Sequence, residues 1–267
     1  MVIAAILFAA LPQTAVELKL KLREDEVVRF RNVFNVVTYS PDKIDERVQN
    51  SLMSFTFGAE RDGKIAVKAV VEEYEGMDAG SNGAGPAMKQ VNLSFDLDKK
   101  GGAGAVKHTT SNPALEPVGV LLSKTLSGMN SIGFLGLTLP EKSVSVGETW
   151  SRKVEASDFL APALAPGGDM FQVDGMYDVL FTLVDVTNVN NKRHARISVD
   201  VKGKSELAIN SPDISISGTL TVASTSSVLL DLETGLISSA KTDTTANLDL
   251  GEAEAQIVMW SLLYRKV

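Results

Sequence analysis

The chain has no cysteine in 267 residues, two histidines (His108 and His194) and two tryptophans. Without cysteine there is no disulfide framework, no thiol nucleophile, no thiolate zinc centre and no acylated cysteine anchor. Two histidines exclude most imidazole-rich metal centres, and no metal or other cofactor is expected. Basic charge is also short. Against 33 Asp and Glu there are 26 Lys and Arg, a formal net charge of −7, so no broad field favours a phosphate backbone and no nucleic-acid partner is expected. No apolar run is long enough to cross a bilayer as a helix. What is present is an ordinary globular composition, 44% hydrophobic and 22% charged, in a chain long enough to fold without crosslinks or metals.

The apolar run Val2 to Leu11 is about half the length of a membrane span but matches the central region of a secretory signal. Pro12-Gln13-Thr14-Ala15 follows it, with Ala15 placed for cleavage, although no basic segment precedes the run. Residues 1–15 are read as a signal segment, with a first buried strand as the alternative. The expected address is the bacterial periplasm or the extracellular space.

From Val16 the pattern turns to period two. Val16, Leu18, Leu20 and Leu22 alternate with Glu17, Lys19, Lys21 and Arg23, as on a half-buried strand. The same alternation recurs at Leu93/Phe95/Leu97, Ile197/Val199/Val201, Ile214/Ile216, Leu220/Val222 and Leu248/Leu250. Turn residues separate these runs at Asp62-Gly63, Lys100-Gly101-Gly102, Asn188 to Asn191, Asn210 to Asp213 and Glu233-Thr234-Gly235. The fold class is mainly β, built of antiparallel strands.

Self-comparison suggests a duplication. Ser54-Phe-Thr-Phe57, a turn, and Ile65 to Val71 resemble Leu180-Phe-Thr-Leu183, a turn, and Ala195 to Val201. Phe95-Asp-Leu-Asp resembles Leu230-Asp-Leu-Glu, and Glu24 to Arg29 lies on Val146 to Arg152. The expected organisation is a first β-meander unit at 16–112, a helical connector or plug at 113–139 and a second unit at 140–267, forming a curved sheet or half-barrel. The mid-chain helix repeats Val118, Leu121, Leu122, Thr125, Leu126, Met129 and Ile132 at helical steps, between Pro113 and Pro117 before it and Gly133 and Gly136 after it. A shorter helical segment spans Ser157 to Leu164. The stretches from Gly76 to Pro86 and from Ala161 to Asp169 read as loops.

Chemistry-bearing motifs are absent or unspecific. There is no Gly-x-Ser-x-Gly elbow, and Ser40-Pro-Asp-Lys43 carries a proline that disfavours the helical turn of a Ser-x-x-Lys dyad. Both histidines read as surface positions. Glu24-Asp25-Glu26 and Glu72-Glu73-Glu75 read as solvated strand ends, and Asp96-x-Asp98-x-x-Gly101 lacks the later ligands of a calcium loop. The glycine-rich stretch at 80–85 lacks the lysine of a phosphate loop.

The segment Pro140-Glu-Lys-Ser-Val-Ser-Val-Gly-Glu-Thr-Trp150 and the phrase Asp231-Leu-Glu-Thr-Gly235 resemble phrases of a group of uncharacterised bacterial exported proteins assigned to domains of unknown function. Many members carry a lipid-anchoring cysteine, which this chain lacks. The resemblance implies an envelope location and a duplicated antiparallel fold, and it carries over no catalytic residue. A further analogy, of architecture alone, is to the periplasmic lipoprotein carriers.

The functional expectation is a non-enzymatic exported β-protein that shelters a lipid or other apolar small molecule. Candidate lining residues are Leu121, Leu122, Leu126, Met129, Phe134, Phe55, Phe57 and Phe181. The alternative is an envelope interaction module with a protein partner, a packed interior and an exposed apolar patch. An outer-membrane barrel shares the alternation, but 16 aromatics are few for one and the mid-chain helix does not suit it.

Overall fold

The computed structural model describes residues 15–76, 84–164, 171–211, 214–251 and 254–266. The strands are β1 (Val27–Ser40), β2 (Lys43–Arg61), β3 (Lys64–Gly76), β4 (Val91–Asp98), β5 (Lys107–Thr110), β6 (Thr149–Glu155), β7 (Phe171–Asp174), β8 (Met176–Val189), β9 (Lys192–Ser211), β10 (Ile214–Asp231), β11 (Ile237–Asp249) and β12 (Glu254–Lys266). The helices are α1 (Ala84–Met88), α2 (Glu116–Met129) and α3 (Ala156–Leu164). All strands join one antiparallel sheet in the order β5-β4-β3-β2-β1-β12-β11-β10-β9-β8-β6, with β7 on β9. Its two margins are β5 and β6, and β1 meets β12 at a central seam.

Alternation builds the core. Ile65, Val67, Ala69 and Val71 of β3, Leu93, Phe95 and Leu97 of β4, Tyr177, Val179, Phe181 and Leu183 of β8, and Ile197, Val199 and Val201 of β9 are buried on one face. The hairpins close where the turn residues predict. Asp62 (φ 52°) with Gly63 (φ 73°), and Asn190 (φ 51°) with Asn191 (φ 63°), supply the paired positive φ angles that match strand twist. Phe134, between α2 and β6, packs with ring centroids 5.4–6.4 Å from Phe30, Phe55, Phe57 and Phe95. Helix α2 buries Leu126 and packs against β4, β5 and α3. Asn112 caps the turn that leads into it, accepting from the Ala114 N–H at 3.0 Å.

Residues 16–23 are not the strand that their alternation predicts. Leu18 is buried and the lysines are exposed, as expected, but the segment makes only one isolated bridge, Val16 to Val144. It is an arm. The Lys21 N–H donates to the Thr234 carbonyl at 2.8 Å, while the segment after Phe134 reaches the other half of the chain, Leu139 donating to Lys100 at 2.7 Å. The amino-terminal arm thus clasps the turn at Thr234, and the end of the connector clasps the turn at Lys100 and Gly101. A backbone carbonyl at a turn, rather than a neighbouring strand, accepts from the arm, which explains the missing ladder.

The halves share detailed geometry. In one, Glu26 N–H donates to Arg23 O and the Glu26 carboxylate accepts from Arg23 N–H. In the other, Glu148 and Ser145 do the same. Asp25 (φ 59°) and Gly147 (φ 90°) hold the same left-handed position. Their N–H groups donate to Phe57 O (2.8 Å) and Leu183 O (2.7 Å), and the N–H groups of Phe57 and Leu183 return to Glu26 O and Glu148 O. Val28 pairs with Phe55 as Trp150 pairs with Phe181, and the ladder shifts register after Phe57 and after Leu183. At the far end, Asp98 accepts from Lys100 N–H and Asp231 from Glu233 N–H, each at 2.8 Å. Asp98 therefore corresponds to Asp231, two residues from the register read in the sequence, a slip that leaves every side chain on its face.

Candidate functional site

The two faces of the seam are set by register. Phe34, Ser261 and Thr242 stand in one row of the inner face, and Val36, Met259 and Thr244 in the next. Helix α3 lies over this surface with Phe159 and Leu160. Between them is a cleft of about 130 Å³ lined by Phe34, Phe159, Leu160, Thr242, Thr244, Met259, Trp260 and Ser261. Leu160 is buried, and the Phe159 ring stands edge-on to Tyr177 at 5.6 Å, which anchors the helix.

The floor is hydroxylic. Ser224 and Thr244 share a hydrogen bond of 2.7 Å, and Ser226 and Thr242 one of 2.8 Å. Paired hydroxyls satisfy one another and present a weakly polar surface, so apolar contact costs no broken bond. Deeper in, Tyr177 bonds Ser205 at 2.8 Å. Burial pushes the Tyr177 hydroxyl above its usual range against the opposing effect of that bond, so it stays neutral. A cleft with apolar walls over paired hydroxyls can hold an apolar group of about benzene size.

The residues expected to line a cavity lie elsewhere. Phe55, Phe57 and Phe134 meet in the aromatic cluster, Leu126 packs beside them in the core, and Phe181 stacks on Trp150 with centroids 5.4 Å apart. Leu121, Leu122 and Met129 are half-buried on α2. None of the eight lines the cleft. The residues that do line it come from β1, β11, β12 and α3. Phe34 and Met259 escaped the sequence reading because β1 and β12 carry apolar residues on both faces, which erases period two.

Two larger clefts are mixed or polar. One of about 750 Å³ lies between Ser157, Gln172 and Asp174 on one side and Glu206, Ala208 and Thr219 on the other. Another of about 490 Å³ is lined by Glu24, Arg61, Asp62, Lys64 and Asp96. Among the described residues no cluster of His, Cys, Asp and Glu could hold a metal ion, and no helix is long and apolar enough to cross a membrane.

Neither histidine is the surface residue that the sequence suggests. His194 is buried, with Nδ1 3.0 Å from the Lys192 carbonyl and Nε2 3.0 Å from Ser238 Oγ. With Nδ1–H donating to the carbonyl, Nε2 accepts from the serine. Ser238 is the extra residue where the β10–β11 register shifts, and the pair lines none of the three clefts. His108 packs on Gly119 of α2 and lies 2.8 Å from Glu116. Both imidazoles act as joints between elements.

No family model and no curated protein matches this chain. Among solved structures, a lipovitellin structure concerned with lipid–protein interactions is similar at 11% identity and a TM-score of 0.49. The alignment covers 92% of this chain, which spans about a quarter (26%) of the lipovitellin chain. An outer membrane lipoprotein-sorting protein domain from Vibrio parahaemolyticus is similar at 9% identity and 0.23, covering 86% of this chain and 83% of that one. A DUF1329 family protein from Desulfovibrio piger is similar at 8% identity and 0.23, covering 91% and 87%. At these identities and TM-scores the likenesses transfer neither ligand nor activity.

Proposed function

We propose that this protein is a non-enzymatic, exported holder of an apolar small molecule, with the end of an acyl chain or a group of similar size seated between α3 and the inner face of the seam. The observation that carries this reading is the cleft of about 130 Å³ walled by Phe34, Phe159, Leu160 and Met259 over a hydroxyl floor. Helix α3, only nine residues long, is the element that moves if a longer chain is to enter. The apolar run at Val2 to Leu11 supports the exported address, and the matched turns of the two halves support a duplicated unit as the origin of the fold.

The test is titration of delipidated protein with a fluorescent fatty acid. One saturable site is expected, abolished by Met259→Trp, which fills the cleft, while circular dichroism stays unchanged. Absence of uptake at micromolar protein, or uptake indifferent to Met259→Trp and Phe34→Asp, rejects the proposal. Fractionation of cells expressing the full chain tests the address, which a cytoplasmic protein of unaltered mass contradicts.

A further inference from the structure

The outer face of the seam is apolar where a strand surface facing water is normally polar. Trp260 (38% exposed), Leu262 (39%), Tyr39 (41%) and Ile44 (67%) stand on it. Register puts them on one surface: Val33 pairs with Leu262, Asn35 with Trp260, Val37 with Val258 and Tyr39 with Ile44. At the centre is Asn35, 8% exposed, whose Nδ2 donates to Glu46 at 2.8 Å and whose Oδ1 has no hydrogen-bond partner. A buried amide acceptor left unpaired inside an apolar face is costly to a monomer.

The pattern is palindromic about that residue. On β1, Val33 and Val37 flank Asn35. On β12, Leu262 and Val258 flank Trp260. A half-turn about an axis lying across the strands at Asn35 lays this face on its own copy with Val33 opposite Val37 and Leu262 opposite Val258, while Tyr39 comes over Arg31. Glu46, beside Val37, then comes over Asn50, beside Val33. A primary amide has a second N–H as well as a free oxygen, so two Asn35 amides facing each other across a two-fold axis can each donate to the other. Asp243 at the margin is already neutralised by Lys241 at 3.1 Å.

From these observations we infer that the outer face of the seam is a self-association surface, and that its partner is a second copy of this chain in an isologous pair. The apolar rows cover roughly 15 by 25 Å, a footprint of about 400 Å² against the ~800 Å² per partner of a standard interface. The association is therefore weak, in the micromolar range. Trp260 also borders the cleft, but Val33, Val37 and Leu262 do not, so Leu262→Lys tests this surface apart from it.

The test is sedimentation velocity on the full chain over a concentration series from about 1 to 500 μM. A reversible monomer–dimer equilibrium is expected. Trp260→Glu and Leu262→Lys, both at exposed positions, should each raise the dissociation constant at least tenfold without changing the circular dichroism spectrum. Because the chain has no cysteine, Val48→Cys, beside Asn35 in the row of the axis and so brought opposite itself, should form a covalent dimer on mild oxidation, whereas Lys107→Cys at the sheet margin should not. A wild-type chain that is monomeric throughout, a dimer indifferent to Trp260→Glu, or equal crosslinking at both cysteines overturns the inference.

Discussion

Asp231 is fully buried, and its carboxylate meets Arg265 at 2.8 Å. Burial pushes this carboxyl up, but the Arg265 guanidinium and the N–H groups of Glu233 and Thr234 together outweigh burial and hold it below the usual carboxylate range. A depressed folded pKa stabilises the protein above the unfolded value of about 3.9 and is lost as pH falls through the lower folded value. Asp231→Asn should therefore flatten the acid limb of stability measured by denaturant titration below pH 4. At neutral pH it should cost about 3–5 kcal/mol, because Arg265 is left without its counter-charge. Asp25 offers a gentler test. It holds a left-handed conformation that Gly147 holds in the other half. Asp25→Gly should stay within about 1 kcal/mol of wild type, while Asp25→Val should lose about 2 kcal/mol. Equal tolerance of both changes in thermal melts would contradict the shared turn geometry.

Among the elements, the arms were half legible. The alternation of Val16 to Leu22 correctly placed Leu18 inside and the lysines outside, because burial follows side-chain period whether or not a ladder forms. The sequence could not reveal that the arm's hydrogen bonds go to Thr234 and Val144, since those partners lie more than a hundred residues away and carry no local signal. Leu18→Ala should cost about 2–5 kcal/mol. It should also speed hydrogen exchange at Lys21 and Val144 more than at Val67 in β3, and uniform acceleration would mean that the arm has no local stability of its own. The helix at 116–129 was legible from its stripe and prolines, and the β2–β3 and β8–β9 turns from Asp-Gly and Asn-Asn. The seam was not, because Val27–Ser40 and Glu254–Lys266 are apolar on both faces, and neither was the cleft that they floor. The eight residues expected at a cavity are large and apolar, which in a sequence marks core and ligand wall alike. In the structure Phe55, Phe57, Phe134, Leu126 and Phe181 are packed core.

At the scale of the molecule, a single sheet and one continuous hydrophobic cluster join the halves, and the amino-terminal arm is bonded to the turn at Thr234. Unfolding in urea should be one transition, with far-ultraviolet circular dichroism and the fluorescence of Trp150 and Trp260 coinciding. Two separated midpoints would show that the halves are independent. The mainly antiparallel class was readable because alternation and turn chemistry are local. The sheet order was not, since nothing local decides that β1 pairs with β12.

That pairing also governs how the protein is made. β12 leaves the ribosome ~230 residues after β1, roughly 10 to 45 s later at ~5–20 residues per second. Throughout that interval the amino-terminal meander waits with a bare edge, a template for any extended segment nearby. Pairing with the closing strand is what finally covers that edge.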